Sequence, residues 1–514
     1  MNMKTNKIKG GLSLIAFSAL TILASCTAGF EDANRPGGNL SREDLKKDNY
    51  ATGSFMIQLQ NEAFPEQENT YQMNVDLIGN YLGRYMTYAN NGFSNNNFVM
   101  MNAPTGWANY PFKDCTPKVV SAFKEVYDYT DGEGINYAWA LILRAQAFLR
   151  LTDIYGPYPI GAESDPNAYS SQEKVYKELI LDLDSATNIL APMVAADPNL
   201  TVSADYDHVY GGKFAKWLKF ANSLKLRMAI RMRFADPAYA RQVGEAAVAG
   251  GVITSNDDNL EITYVPNGQY KTSVEWGDSR ACADIECYMN GYKDPRITKY
   301  FKATETAGDR AVIGCLAGAA IGNKATAMSV YSAANIEQNS RGVWMTAAEM
   351  TFCRAEGALA GWSGMGGSVE ELYNQAIRLS FEQWGAGGVE AYLQDATSTP
   401  AAYVDAEGGF GKAMPAASTI TIKWDESASN EVKLERLITQ KWIAGFPNGD
   451  EGWAELRRTG YPKVFDVARN TTIKVANRVP FCTEEPINNK DNYEKAVQLL
   501  GGADNYTTKL WWQR

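Results

Sequence analysis

Histidine is almost missing from this chain: among 514 residues it occurs once, at His208. A hydrolase built on a nucleophile, a histidine base and an orienting carboxylate would have to use that residue. It lies in Tyr206-Asp207-His208-Val209-Tyr210, ahead of Gly211-Gly212, in a stretch that reads as a loop. No G-x-S-x-G nucleophile elbow occurs, since Gly361-Trp362-Ser363-Gly364 fails at its last position. A phosphate-binding lysine loop is missing as well, and Gly364-Met365-Gly366 is followed by Val369 where a dinucleotide fingerprint needs glycine. There is no C-x-x-C, which with one histidine argues against a zinc site. Basic charge is also in deficit, with 49 Lys and Arg against 59 Asp and Glu. Nucleic acid is therefore not an expected partner, because phosphate binding needs basic patches.

Long apolar runs are scarce, and the one that matters is at the front. Lys4, Lys7 and Lys9 precede an apolar stretch from Leu12 to Leu23, too short to span a bilayer but suited to a secretion signal. It ends in Leu23-Ala24-Ser25-Cys26, small residues before a cysteine, the pattern of a bacterial lipoprotein signal. Cleavage is expected before Cys26, with a diacylglycerol on its thiol. Two or three acyl chains hold a protein on a membrane durably. Loss of residues 1–25 leaves 46 basic against 59 acidic side chains, a net charge of −13. Residues 26–50, with Thr27, Gly29, Asn34, Pro36, Gly37 and Gly38, read as a flexible tether. Six cysteines remain beyond Cys26: Cys115, Cys282, Cys287, Cys315, Cys353 and Cys482. Cys282 and Cys287 are close enough in sequence to consider a disulfide.

Helical periodicity fills residues 51–514. Met73, Leu77, Tyr81, Tyr85 and Tyr88 are spaced as one helix face, and helices are expected over 137–155, 172–190, 213–234, 347–361, 370–384 and 432–446. They come in pairs joined by turns, with Ala145, Ala221, Ala355 and Ala376 where helices could approach closely. The expected fold is mostly α: one domain of irregular tetratricopeptide-like helical hairpins, with long loops and a few short strands. Segments 90–117, 251–281, 303–343 and 396–430 read as long loops, with 251–343 and 396–430 inserted as a ligand-binding subregion. A short strand is expected at Thr419–Lys423.

Three groups of residues invite a chemical role. Glu349 and Glu356 lie on one helix face, either as a glycosidase pair or as carboxylates serving neighbouring helices. Asn256-Asp257-Asp258-Asn259 suits a turn better than calcium, because it lacks spaced ligands; no cofactor or metal is otherwise expected. The third group is aromatic. An oligosaccharide offers apolar C–H faces ringed by hydroxyls, so its site needs flat rings beside amides and charged groups. Residues 90–112 supply Trp107, Asn109 and Tyr110 after a run of asparagines; residues 264–280 supply Tyr270, Trp276, Asp278 and Arg280. Trp107 and Trp276 either meet ligand or pin their loops to the helical body.

Several segments together resemble the SusD/RagB family of nutrient-binding outer-membrane lipoproteins, in its SusD-like branch. Leu143–Phe148 with Asp153–Pro159 is similar to a family helix and turn, Phe220–Ala229 to its "ANSLKLRLA" helix, and Asp294-Pro295-Arg296 to its "DPR" turn. Ala348-Glu349 through Ala355-Glu356, Ile438–Trp442, Leu456–Pro462, Arg478-Val479-Pro480 and Leu510-Trp511-Trp512 continue the match in order. Phe481-Cys482 departs from the family's Tyr-Pro. The resemblance implies a non-catalytic protein on the outer membrane that captures glycan and delivers it to a SusC-like TonB-dependent transporter. It also implies that acidic residues after the lipid-bearing cysteine, here Glu31 and Asp32, accompany export to the cell surface. The shared motifs are structural: Gln440, Lys441 and Trp442 are expected in the core, and Arg457 and Arg458 against buried carboxylates such as Glu349 or Glu356. The ligand site is expected in the variable loops, where Trp107 and Trp276 fall.

Overall fold

A computed structural model describes residues 50–161, 165–308, 310–469 and 474–514. The signal segment, Cys26 and the tether up to residue 49 lie outside the described residues. Residues 52–514 form one compact unit.

Helices dominate. In chain order the principal ones are α1 (Tyr50–Ala63), α2 (Thr105–Thr130), α3 (Gly134–Tyr155), α4 (Gln172–Ala196), α5 (Phe214–Met232), α6 (Pro237–Ala249), α7 (Lys324–Val330), α8 (Ala347–Leu359), α9 (Val369–Gln383), α10 (Asn430–Ala444) and α11 (Gly449–Thr459). Their ends follow local chemistry. The Ser171 side chain accepts the Lys174 amide at the start of α4, and Asp236 caps α6 just ahead of Pro237. Ser368 and Glu371 close a reciprocal capping box on α9. Neighbours in sequence pack as hairpins: α2 on α3, α3 on α4, α4 on α5, α5 on α6, and α8 on α9. Contact between α5 and α8 joins the two series. Ala145, Ala221, Ala355 and Ala376 are fully buried in these helices, as the small-residue pattern anticipates. Helix α4 is long and apolar enough to cross a membrane by composition. Here Val175, Leu179, Leu183, Ala186 and Leu190 are buried on one face of it.

Four short strands pair in two antiparallel ribbons. β1 (Met86–Tyr88) pairs with β3 (Ser279–Ala281), and β2 (Leu260–Thr263) with β4 (Arg341–Met345). Three local expectations change. The apolar face Met73–Tyr88 is not one α-helix: a π-helical segment covers Gln72–Asn80, and the chain then turns into β1. The π segment packs against α11, where a Cβ on Gly79 would lie 2.2 Å from an Asp450 oxygen. Residues 105–117 belong to α2 and not to a loop, despite Pro111 and Pro117 inside that helix. Thr419–Lys423 forms no strand; earlier in the same loop, over 396–430, Tyr403 and Met414 make an isolated bridge.

The shared motifs converge on buried ion pairs. Arg458 on α11 grips Glu356 on α8 with two hydrogen bonds, 2.6 and 2.8 Å, and also reaches Glu455. Arg233 donates to the same Glu356 carboxylate, and Lys441 on α10 meets Glu455 at 2.8 Å. Glu349 receives two bonds of 2.7 Å from Arg227 on α5. Arg231 bridges Asp153 and Glu451. Asp153 also accepts Trp512 Nε1 at 2.8 Å, which ties the chain's C-terminal residues to α3. Arg457 does not meet a carboxylate. Its guanidinium lies 3.4 Å from the Trp453 ring centre and donates to the Asp153 and Asn477 carbonyls. Gln440, Lys441 and Trp442 are buried in α10 as expected. In the DPR turn, Arg296 folds back on Asp294 and reaches Ser380 on α9.

These buried acids set the pH dependence of folding. Burial pushes Glu66 up to about 8, against a hydrogen bond from Trp344. It pushes Asp76 and Asp450 up to about 7 each, against Asn80 and Arg150 respectively. Carboxyls raised in this way stabilise the fold below their ordinary range, and that contribution is lost as pH rises through 7 to 8. Glu356 runs the other way: burial alone would raise it, but Arg458 and Arg233 outweigh burial and hold it at about 2. Its contribution is present above about 4.5 and lost as pH falls toward 2. Thermal melts across pH 3 to 9 are therefore expected to peak at about 4.5, to decline from there through about 8 as the raised carboxyls are lost, and to fall below the peak as Glu356 is protonated. A curve still rising at pH 9 would contradict this.

Candidate ligand-binding face

The two aromatic segments singled out in the sequence are brought together by the β1–β3 ribbon. Thr87 faces Arg280, Tyr88 faces Ser279, and the Ala89 amide continues the pairing to the Asp278 carbonyl at 2.7 Å. Just past the ribbon, Asp278 becomes a node. Its carboxylate accepts Asn90 Nδ2 at 2.8 Å, Gln72 Nε2 at 3.0 Å and the Lys324 ammonium of α7. Asn90 in turn caps the tight turn Asn91–Phe93 through the Gly92 amide.

Half-exposed rings flank this node. Phe93 meets Trp107 edge to face, with centroids 4.8 Å apart, and Tyr110 follows on the same first turns of α2. Trp276 lies two residues before Asp278, with the Lys271 ammonium 5.3 Å from its ring centre. Tyr270 is half-buried at the start of the π-helical turn Tyr270–Glu275, its amide donating to Asn267. A third loop closes in through Arg469, which donates to Asn95, Gly318 and the Ser94 carbonyl. A fourth brings Phe410 beside Gly322; its amide donates to the Tyr331 hydroxyl, which donates to Asp405.

Of the seven residues expected to meet ligand, Asn109, Asp278 and Arg280 are buried with polar atoms engaged by the protein. Asn109 is buried and exchanges hydrogen bonds with Thr483, donating to its hydroxyl at 2.8 Å and accepting its amide at 3.1 Å. Arg280 is buried and donates to the Ser273 and Ser279 carbonyls. Burial brings its pKa down to about 10, against Asp278, so it stays charged at neutral pH. The Asn109 and Arg280 side chains point their chemistry at backbone or neighbouring loops because helix and strand place them on inward faces. Trp107, Tyr110, Tyr270 and Trp276 keep exposed surface, and Asp278 organises the loops between them. Sequence reasoning missed Phe93, Lys324, Phe410 and Arg469. Phe410 sits in Gly408-Gly409-Phe410-Gly411, where a ring among glycines in a long loop is a usable signal.

Gly277 joins Trp276 to the node in a left-handed conformation, φ +70°, and a Cβ there would lie 2.6 Å from Met328 of α7. Gly277→Ala is expected to destabilise the protein by about 1–3 kcal/mol. Adding Met328→Ala should return the steric part and leave the backbone part. Denaturant melts of the three variants check this; an unchanged Gly277→Ala midpoint would refute it.

The other candidates resolve as structural. Glu349 and Glu356 are clamped by arginines, as described above. Asp258 faces Lys219, and the Asn259 side chain accepts the Ala347 amide at the start of α8. Among the described residues no cluster of ligands for a metal ion occurs. The six described cysteines are free and buried; Cys282 and Cys287 are not paired, their thiols facing Asp284 and Glu286.

The profile of the SusD-like family, described as SusD and RagB outer membrane lipoprotein, matches residues 32–513. The chain belongs to this family. Solved SusD homologues share its fold. One from Bacteroides uniformis is 37% identical, with 91% of this chain and 100% of that chain covered at a TM-score of 0.84. One from Bacteroides thetaiotaomicron is 34% identical, covering 90% and 99% at 0.84. A chitin-binding SusD homologue from Flavobacterium johnsoniae is 35% identical, covering 90% and 98% at 0.84. A comparison with curated protein sequences returned no match. As a SusD-like protein the chain falls among outer-membrane lipoproteins.

Proposed function

We propose that this SusD-like protein is a non-catalytic glycan-capturing lipoprotein, anchored through Cys26 and facing the cell exterior, that hands oligosaccharide to a SusC-like TonB-dependent transporter. One observation carries the reading: partly exposed rings, Phe93, Trp276 and Phe410 from three loops and Trp107 from the first turn of α2, gather near a polar node of Asn90, Asp278 and Lys324. Flat rings cover the C–H faces of sugars, while amide, carboxylate and ammonium groups take their hydroxyls. Likeness to a chitin-binding homologue supports the same ligand class. Contact residues in this proposal are Trp107, Tyr110, Tyr270 and Trp276; Asn109, Asp278 and Arg280 position the loops. The clamped state of Glu349 and Glu356 supports the absence of glycosidase chemistry, because neither is placed to donate or accept a substrate proton. Calorimetry of the chain from Thr27 onward against chitin, plant and host oligosaccharides is expected to show one class binding at micromolar to millimolar strength. A folded protein that binds none of them would favour peptide capture or a purely mechanical lid on the transporter.

A further inference from the structure

A second concave site lies at the β2–β4 ribbon. A cleft of about 220 Å³ runs between Arg341 and Val343 of β4 and a ring cluster of Tyr300, Trp384 and Phe446. Tyr300 and Phe446 stack with centroids 4.5 Å apart, and Trp384 leans on Tyr300 at 4.6 Å while keeping part of its surface exposed. The cleft adjoins an inner chamber of about 20 Å³, large enough for a water molecule; Gln269, Ile336, Arg341, Val343 and Pro447 line both. Glu66 lines the chamber.

Four polar atoms on these walls have no hydrogen-bond partner in the protein: Glu66 Oε2 and Gln269 Nε2 at the chamber, Gln383 Oε1 and Trp384 Nε1 at the cleft. Glu66 and Gln269 are only 3% and 2% exposed. Buried groups left in this state cost free energy, which a bound partner recovers. The set mixes donors and acceptors, as hydroxyl groups require. Little charge is available for an ionic ligand. The Glu66 carboxyl, raised by burial to about 8, is mostly neutral at pH 7. Arg341 at the mouth already faces Glu261 at 3.3 Å. The volume falls below the roughly 300–1,000 Å³ usual for ligand pockets, which suits one ring.

We infer that this cleft is a second carbohydrate site, taking a single neutral sugar ring against Trp384 with its hydroxyls on Gln269 and Gln383, while Glu66 is reached only through a water in the inner chamber. It shares no lining residue with the loop face around Asp278. The inference rests on the reading of the protein as a carbohydrate binder, and the test separates the two.

Calorimetry with N-acetylglucosamine, glucose, galactose and mannose as probes, on the chain from Thr27 onward, decides the matter. One of them is expected to bind at millimolar strength and to keep its affinity in Trp107→Ala/Trp276→Ala. Its Kd should rise at least about tenfold in Trp384→Ala, as loss of a ring contact predicts, and severalfold in Gln383→Ala. If Trp384→Ala melts early, Trp384→Phe and Gln383→Ala carry the test, since both leave the Tyr300–Phe446 stack in place. Oligosaccharide binding without any monosaccharide binding overturns the second site and leaves the proposed function standing. Monosaccharide binding that vanishes in the loop-face variant, or is indifferent to Trp384 and Gln383, also overturns it. Failure of every sugar, long or short, removes both.

Discussion

Replacing Trp107 and Trp276 together by alanine is expected to weaken oligosaccharide binding by about 30- to 1,000-fold, or about 2–4 kcal/mol. The argument is one of area and placement. Each ring keeps part of its surface exposed, Trp107 against Phe93 and Trp276 two residues from Asp278, and that surface is what the apolar side of a sugar would cover. Burying such a face contributes about 1–3 kcal/mol, and two rings on one ligand need not add fully. The fold should tolerate the change, because each ring is already partly in water; Phe93 loses one edge-to-face neighbour and Lys271 one ring. Melting temperature therefore serves as the control. Calorimetry showing wild-type affinity in a folded double variant would place the site elsewhere. Asn109→Ala offers the contrast: it removes two hydrogen bonds to Thr483 and is expected to lower stability by about 1–3 kcal/mol, with affinity changed less than in the tryptophan variant.

Glu356→Ala is expected to cost about 3–5 kcal/mol of stability, enough to lower the denaturant midpoint sharply. Glu356 is fully buried on α8 and neutralises Arg458 from α11 and Arg233 beyond α5. Its removal leaves Arg458 with Glu455 alone, which Lys441 already occupies, and leaves Arg233 without its carboxylate. Three helices lose a shared charge balance at once. Glu349→Ala should behave similarly on a smaller scale, because Arg227 retains Glu451 at 3.6 Å. Equilibrium unfolding in urea measures both. A near-neutral Glu356→Ala would show that the cluster contributes little, and glycan hydrolysis abolished by it would revive the glycosidase reading.

Which parts of this were legible in the sequence depends on the range of the interaction involved. Helices α3, α5, α8, α9 and α10 were visible with ends close to those observed, and α4 with its start but not its end, which runs past Pro192 to Ala196, because apolar spacing and caps such as Ser171 and Ser368 act within one or two turns. Helix α2 was read as a loop over its first turns because asparagines precede it and Pro111 and Pro117 interrupt it; burial of Ala108, Cys115, Val119 and Val126 overrides those local signals. The stretch Met73–Tyr88 kept its apolar face but changed form, since α11 presses on Gly79 and the chain must leave its helix to pair β1 with β3.

For the proposed ligand face, the sequence singled out two segments with rings beside amides, 90–112 and 264–280, and the β1–β3 ribbon brings them together. Tertiary structure decided which of those side chains remain available. Asn109 and Arg280 look as suitable as Trp107 and Trp276 when read in a line. Thr483 lies 374 residues from Asn109, and that pairing turns the amide inward. Lys324, Phe410 and Arg469 join the face from distant loops for the same reason. Local patterns report what the backbone does over a few residues; contacts between loops hundreds of residues apart are set only when the helical body brings them together.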